Sequence, residues 1–165
     1  MYITRLRGLP IIDVDGDSIG KLHDVVIQIR GQGRPPRVKG LVAELFARRR
    51  AYLPMERVYS IDAVQIVVSG VVNTRRFHGR EGETLVLEDL VGRRAVRRGT
   101  SSPTTIFDVA MHAGRGDDWE VSKVALRDTP KALQFSSRVP VTIVPWQDVP
   151  DLSLSGLEEI GRAHV

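Results

Sequence analysis

Four aspartates near the start of the chain, Asp13, Asp15, Asp17 and Asp24, have a spacing at which carboxylates can gather round a cation. An EF-hand loop holds calcium with oxygen ligands at its first, third, fifth and twelfth positions. The fit fails at two of the other requirements. Ser18 stands where that loop needs glycine for its sharp turn, and Asp24 replaces the bidentate glutamate. The flanks are apolar and β-branched, so Asp15-Gly16-Asp17 predicts a hairpin turn without a metal. The histidines, His23, His78, His112 and His164, share no strand or helix-face spacing, so no zinc site can be read. Nucleophile elbows, phosphate loops and dinucleotide fingerprints are missing from the sequence. No catalytic, cofactor-binding or metal residue is nominated, and the reading is of a non-enzyme that uses no cofactor.

The remaining reactive surface is cationic. The formal net charge is +4, and all but four of the 24 basic residues are arginine. They cluster at Arg48-Arg49-Arg50, Arg75-Arg76, Arg93-Arg94 and Arg97-Arg98. Aromatics make up only 5% of the chain and do not interleave with these pairs, which argues against a nucleic-acid groove. An anionic membrane surface is a partner class that the basic balance allows. Arginine at hairpin tips also shields strand edges. Met55 and Trp146 each follow a proline at related places and read as packing residues or as a docking patch. The interaction candidates are therefore Met55, Trp146, Arg48, Arg49 and Arg50. Trp119, Phe107 and Tyr52 are expected in the core.

What positions these residues is a repeat. Leu6-Arg7-Gly8 returns as Leu90-Val91-Gly92, and Asp24-Val25 as Asp108-Val109, both 84 positions on. Val38 and Leu41 return as Val121 and Val124 at a spacing of 83, and Pro54 and Val58 as Pro145 and Val149 at 91. The jump places an insertion at Asp128 to Ser137. Short β-rich runs separated by turn signals predict strands at 10–14, 19–29, 38–45, 51–54 and 65–68, and again at 93–96, 105–111, 119–126 and 139–144. The 165 residues hold no cysteine, no signal-peptide pattern and no apolar run of membrane-spanning length. A cytoplasmic protein is expected.

Leu6-Arg7-Gly8, Asp24-Val25-Val26, Val38-Lys39-Gly40-Leu41-Val42 and Leu53-Pro54-Met55-Glu56-Arg57-Val58 together resemble the PRC-barrel domain. The second set resembles it too, departing at Lys123 where the glycine would stand. The resemblance implies an all-β chain of two tandem small antiparallel PRC-type β-barrels, at 1–72 and 84–152, with a linker at 73–83. Residues 153–165 would form a short helical C-terminal tail, capped by Ser155 and leading into a downstream helical domain. The arrangement is similar to the N-terminal region of actinobacterial MgtE-like magnesium-transporter proteins. That likeness implies a regulatory module, with downstream MgtE N-domain and CBS domains or a membrane transporter as partners. It would lie at the inner face of the membrane, with self-association open. The runner-up is an RNA- or ribosome-associated adaptor.

Overall fold

The computed structural model describes residues 1–31, 33–69, 82–114, 118–128 and 139–150. Among these residues, eleven strands form one mixed sheet. In chain order they are β1 (Pro10–Asp13), β2 (Ser18–Gln28), β3 (Arg37–Glu44), β4 (Arg50–Pro54), β5 (Val58–Ile61) and β6 (Ile66–Val68). The second half adds β7 (Glu83–Leu85), β8 (Arg94–Ala95), β9 (Thr104–Ala113), β10 (Trp119–Asp128) and β11 (Val141–Pro145). The pairing order is β5-β6-β1-β2-β3-β10-β9-β8, with β4 on β3, β11 on β10 and β7 on β2.

This corrects the expectation of two closed antiparallel barrels. The path among the described residues is open, since its end strands β5 and β8 do not pair with each other. The β1–β6 pair is parallel, so the sheet is mixed. The two halves also run together: Glu120 of β10 pairs with Arg37 of β3, and the Val121 N–H donates to the Pro36 carbonyl at 2.9 Å. Their apolar interiors form one cluster that includes Ile3, Leu22 and Val25 together with Leu90, Val109 and Trp146. The tail and most of the linker, residues 153–165 and 73–81, lie outside the described residues, as does the bulk of the Asp128–Ser137 insertion.

The Leu-x-Gly positions prove to be backbone devices. Gly8 and Gly92 sit at φ +83° and +91°, where a side chain would be strained. In that conformation the Gly8 N–H donates to the Leu22 carbonyl and the Gly92 N–H to the Ile106 carbonyl, each at 2.8 Å. The next bonds match as well: Leu22 N–H to the Leu9 carbonyl at 2.9 Å, and Ile106 N–H to the Arg93 carbonyl at 2.8 Å.

Each Leu-x-Gly ends a short turn that docks on the opposite half. The 3-10 turn Ile3–Leu6 lies against β9, where Tyr2 bridges Ala110. The wider π-type turn Val86–Leu90 lies against β2, extending the pairing of Leu85 with Val26. The lone aspartates of the repeat cap these turns crosswise. Asp24 accepts from the Leu87 N–H at 2.8 Å and the Glu88 N–H at 3.0 Å. Asp108 accepts from the Thr4 N–H at 3.1 Å and also from the Thr4 hydroxyl. Each carboxylate further accepts from the N–H that follows it, Val25 at 2.7 Å and Val109 at 2.8 Å. A β-bulge aims both side chains inward. His23 is the extra residue between Leu22 and Asp24, and Phe107 the extra residue between Ile106 and Asp108.

Burial pushes the Asp24 carboxyl above its ordinary 3.8, outweighing the downward pull of the Leu87, Val25 and Glu88 N–H groups and of neighbouring His23. A raised folded-state value makes this residue's contribution greatest below the unfolded value. That contribution is lost as pH rises through the folded one. The stability of the wild type relative to Asp24→Asn should therefore fall as pH rises from below 3.8 toward neutrality in urea titrations. Asp24→Ala, which orphans the turn's N–H groups, should cost about 2–4 kcal/mol.

Gly40 meets a different constraint. A Cβ there would lie 2.5 Å from the Leu53 carbonyl oxygen and 2.5 Å from the Tyr52 ring. Tyr52 folds across it and donates its hydroxyl to the Lys39 carbonyl at 3.0 Å. In the second half the two places are taken by Lys123 and Ile143, both exposed, so no ring covers the strand and no glycine is needed. Gly40→Ala should cost about 1–3 kcal/mol through overpacking, read as a lower urea midpoint, while Lys123→Gly should change little by comparison.

Candidate interaction surface

The acidic cluster folds as a turn. Asp13 accepts from the Asp15 and Asp17 N–H groups at 2.9 Å each, so its carboxylate closes the β1–β2 hairpin. Asp24 is buried and committed to the crossed cap, and the four aspartates do not converge. Among the described residues no group of three His, Cys, Asp or Glu side chains could hold a metal ion. His23 lies 3.9 Å from Glu44 on the partly exposed bulge, and His112 is exposed near the end of β9.

Met55 and Trp146 take equivalent places, each opening a 3-10 turn after a proline: Met55–Arg57 and Trp146–Asp148. Both side chains are buried, Trp146 completely, and both belong to the common apolar cluster. The indole Nε1 of Trp146 has no hydrogen-bond partner among the described residues. Arg98 braces this turn, its N–H donating to the Asp148 carbonyl at 2.6 Å and its guanidinium to the Gln147 carbonyl at 3.3 Å. Phe107, expected in the core, is 48% exposed because the bulge that turns Asp108 inward turns Phe107 outward; its ring lies 5.7 Å from the Arg127 guanidinium carbon. Trp119 and Tyr52 are only half-buried. Arg75 and Arg76 lie outside the described residues.

Arg48, Arg49 and Arg50 are exposed at the β3–β4 hairpin tip, about 17 Å of strand away from Met55. The fold does not bring them together with Met55, and Trp146 follows β11 in the other half. The tip is a two-residue turn. The Leu45 N–H donates to the Arg49 carbonyl at 2.6 Å, and the Arg49 N–H to the Phe46 carbonyl at 3.5 Å. Its central residues, Ala47 and Arg48, have φ of 60° and 59°. Positive φ at both positions defines the type I′ turn, whose twist suits a hairpin and which normally calls for Asn-Gly. Two residues with side chains are thus held in a left-handed conformation that costs each about 1 kcal/mol.

Phe46, just before them, is 95% exposed, the most exposed of the large apolar side chains among the described residues. Sequence reasoning passed over it because its neighbours, Leu45 and Arg48-Arg49-Arg50, read as the end of a strand and a basic turn. The signal available was a bulky apolar residue beside a two-residue turn without Asn or Gly. Replacing Ala47 by Asn together with Arg48 by Gly should raise stability by about 1–2 kcal/mol, seen as a higher melting temperature.

Comparison with known families divides the chain. Residues 1–72 match the PRC-barrel domain, and residues 84–155 match the Actinomycetes SH3 domain. A search of curated proteins finds no match. The expectation of tandem PRC barrels is corrected for the second half, and with it the MgtE-like arrangement, the magnesium-transport function and the MgtE N-domain, CBS or transporter partners. The shared Leu-x-Gly, Asp-Val and Pro positions explain the misreading. They serve a positive-φ turn, a crossed cap and a 3-10 turn, which two different small β-modules can both use. Contact with a membrane face also loses its support, and no helix among the described residues is long and apolar enough to cross a membrane. The families matched are non-catalytic interaction modules, and the chain is similar to a PRC-barrel domain in its first half and to an Actinomycetes SH3 domain in its second.

Proposed function

We propose that the chain is a non-catalytic adaptor whose two modules work as one presenting platform. The observation that carries this reading is the crossed capping of the opening turns, Asp24 on Leu87 and Glu88 and Asp108 on Thr4. Modules that only needed to be tethered could be joined by a linker. Here each completes a turn of the other, and both contribute to one sheet and one apolar cluster. A partner bound to one half therefore meets the other in a set orientation, which confines binding to geometries that both can satisfy. Among the described residues, Arg37 pairs with Asp118 at 2.7 Å and Arg30 with Glu120 at 3.6 Å, both between the halves. They are partly exposed and add at most about 1 kcal/mol each, so they tune the register rather than create it. A cytoplasmic setting accords with a chain that relies on packing and hydrogen bonds rather than disulfides.

The reading is tested by cross-linking the tagged full chain in its native cells and mapping the linked residues by mass spectrometry. An adaptor of this kind should link to discrete proteins, and the links to a given partner should fall within both 1–72 and 84–150. Links confined to one module, or none beyond those within the chain, would overturn it.

A further inference from the structure

We infer that the β3–β4 hairpin tip docks an acidic segment of a partner protein that also carries an apolar side chain, with Phe46 as the anchor and Arg48, Arg49 and Arg50 as the charged rim. The inference rests on the adaptor reading and names the chemistry of one of its partners.

Three observations converge on the tip. Phe46 is 95% exposed, so its whole ring is available to a partner. Arg48, Arg49 and Arg50 are exposed, and none makes an ion pair or a side-chain hydrogen bond among the described residues. The acid nearest in the ladder, Glu44, stands opposite Arg50 at the last pair before the tip; it is half-buried, lies 3.9 Å from His23 and makes no ion pair with Arg50 among the described residues. Three guanidinium groups within three residues, set against the Glu44 carboxylate opposite Arg50, leave a local excess of positive charge, and arginine pairs with carboxylates through two parallel hydrogen bonds.

The third observation is the backbone. Consecutive positive φ values at Ala47 and Arg48 are kept without the Asn-Gly that would relieve them. An arginine in place of that glycine puts one more cation at the tip, at a cost in stability. Strain of this kind gathers at ligand-binding positions. The hairpin also holds the tip firmly: β3 and β4 pair continuously from Gly40–Pro54 to Glu44–Arg50. Phe46 and the three arginines are thus presented on a fixed support, so little ordering is needed on binding.

Phenylalanine and arginine are both enriched in protein interfaces relative to the rest of the surface. A single-stranded nucleic acid would require several aromatics for successive bases, and the tip offers one.

The test uses the full chain and three probes in fluorescence anisotropy: a peptide alternating Asp and Leu, the same peptide with Asn for every Asp, and oligouridylate. The acidic peptide should bind, and the Asn peptide should bind about ten-fold or more weakly. Binding should weaken as salt is raised from about 0.05 M to about 0.5 M, across which the screening length shortens several-fold. Phe46→Ser, and separately Arg49→Ser with Arg50→Ser, should each weaken the acidic peptide about ten-fold or more. Both variants change only exposed side chains, and an unchanged melting temperature checks their folding. No binding of the acidic peptide, equal binding of the Asn peptide, insensitivity to either variant, or tighter binding of oligouridylate would each overturn the inference. If cross-links to both modules persist while the tip variants have no effect, the adaptor reading stands and the tip assignment alone fails.

Discussion

Everything in this fold hangs on two carboxylates that serve the wrong half of the chain. The first N–H groups of any helical turn lack partners within the turn, and burying them unpaired costs about 1–3 kcal/mol each. Ile3–Leu6 and Val86–Leu90 are such turns, and their leading residues Ile3 and Val86 are fully buried. The acceptors come from Asp108 and Asp24, each across the boundary between the modules. Against a typical net stability of about 5–15 kcal/mol, so large a contribution cannot be confined to one module. The shared sheet and the common apolar cluster are what hold each turn within reach of the other half's carboxylate.

The bulges at His23 and Phe107 show how a strand can deliver such a carboxylate. Strict alternation would place Leu22 and Asp24 on the same face only by making His23 oppose a residue of its own. The extra residue relaxes that constraint and sends the next side chain inward toward the turn. The cost appears on the outside, where Phe107 is exposed against Arg127 and His23 lies beside Glu44. Where the halves diverge, they diverge in what covers this framework. Tyr52 shields Gly40 in one, whereas Ile143 and Lys123 stand open in the other; Met55 fills one turn and Trp146 the other. These substitutions alter surface and packing while leaving the backbone devices alone.

Much of the strand pattern was legible because it depends on local chemistry. The runs around 19–29, 38–45 and 119–126 are β-branched and end at turn residues, and Asp15-Gly16-Asp17 does form the hairpin turn. The openness of the sheet was not legible. A strand at the edge of an open sheet and a strand in a closed barrel carry the same alternation of apolar and polar residues. The likeness of the second half to an SH3 domain was hidden for a related reason, since the repeated positions report turn geometry. At the candidate surface, Arg48, Arg49 and Arg50 were visible as charge, but the significance of Phe46 needed its exposure and the left-handed backbone beside it. Met55 and Trp146 stood out by their equivalent positions, and only packing placed both inside.

By itself, the sequence determined the positions where backbone conformation is demanding: the glycines of Leu-x-Gly, the aspartates before valine, and the prolines that open the 3-10 turns. Those requirements are local, so residue type reveals them. Tertiary structure decided which turn each aspartate caps, whether the sheet closes, and which side chains remain outside. These depend on contacts between residues far apart in the chain, such as Asp24 with Leu87, 63 positions on, and Thr4 with Asp108, 104 positions on. A repeat with the same local signals in both halves is compatible with capping within a half or across them. Only the assembled core, by bringing each turn against the other half's strand, selects the crossing.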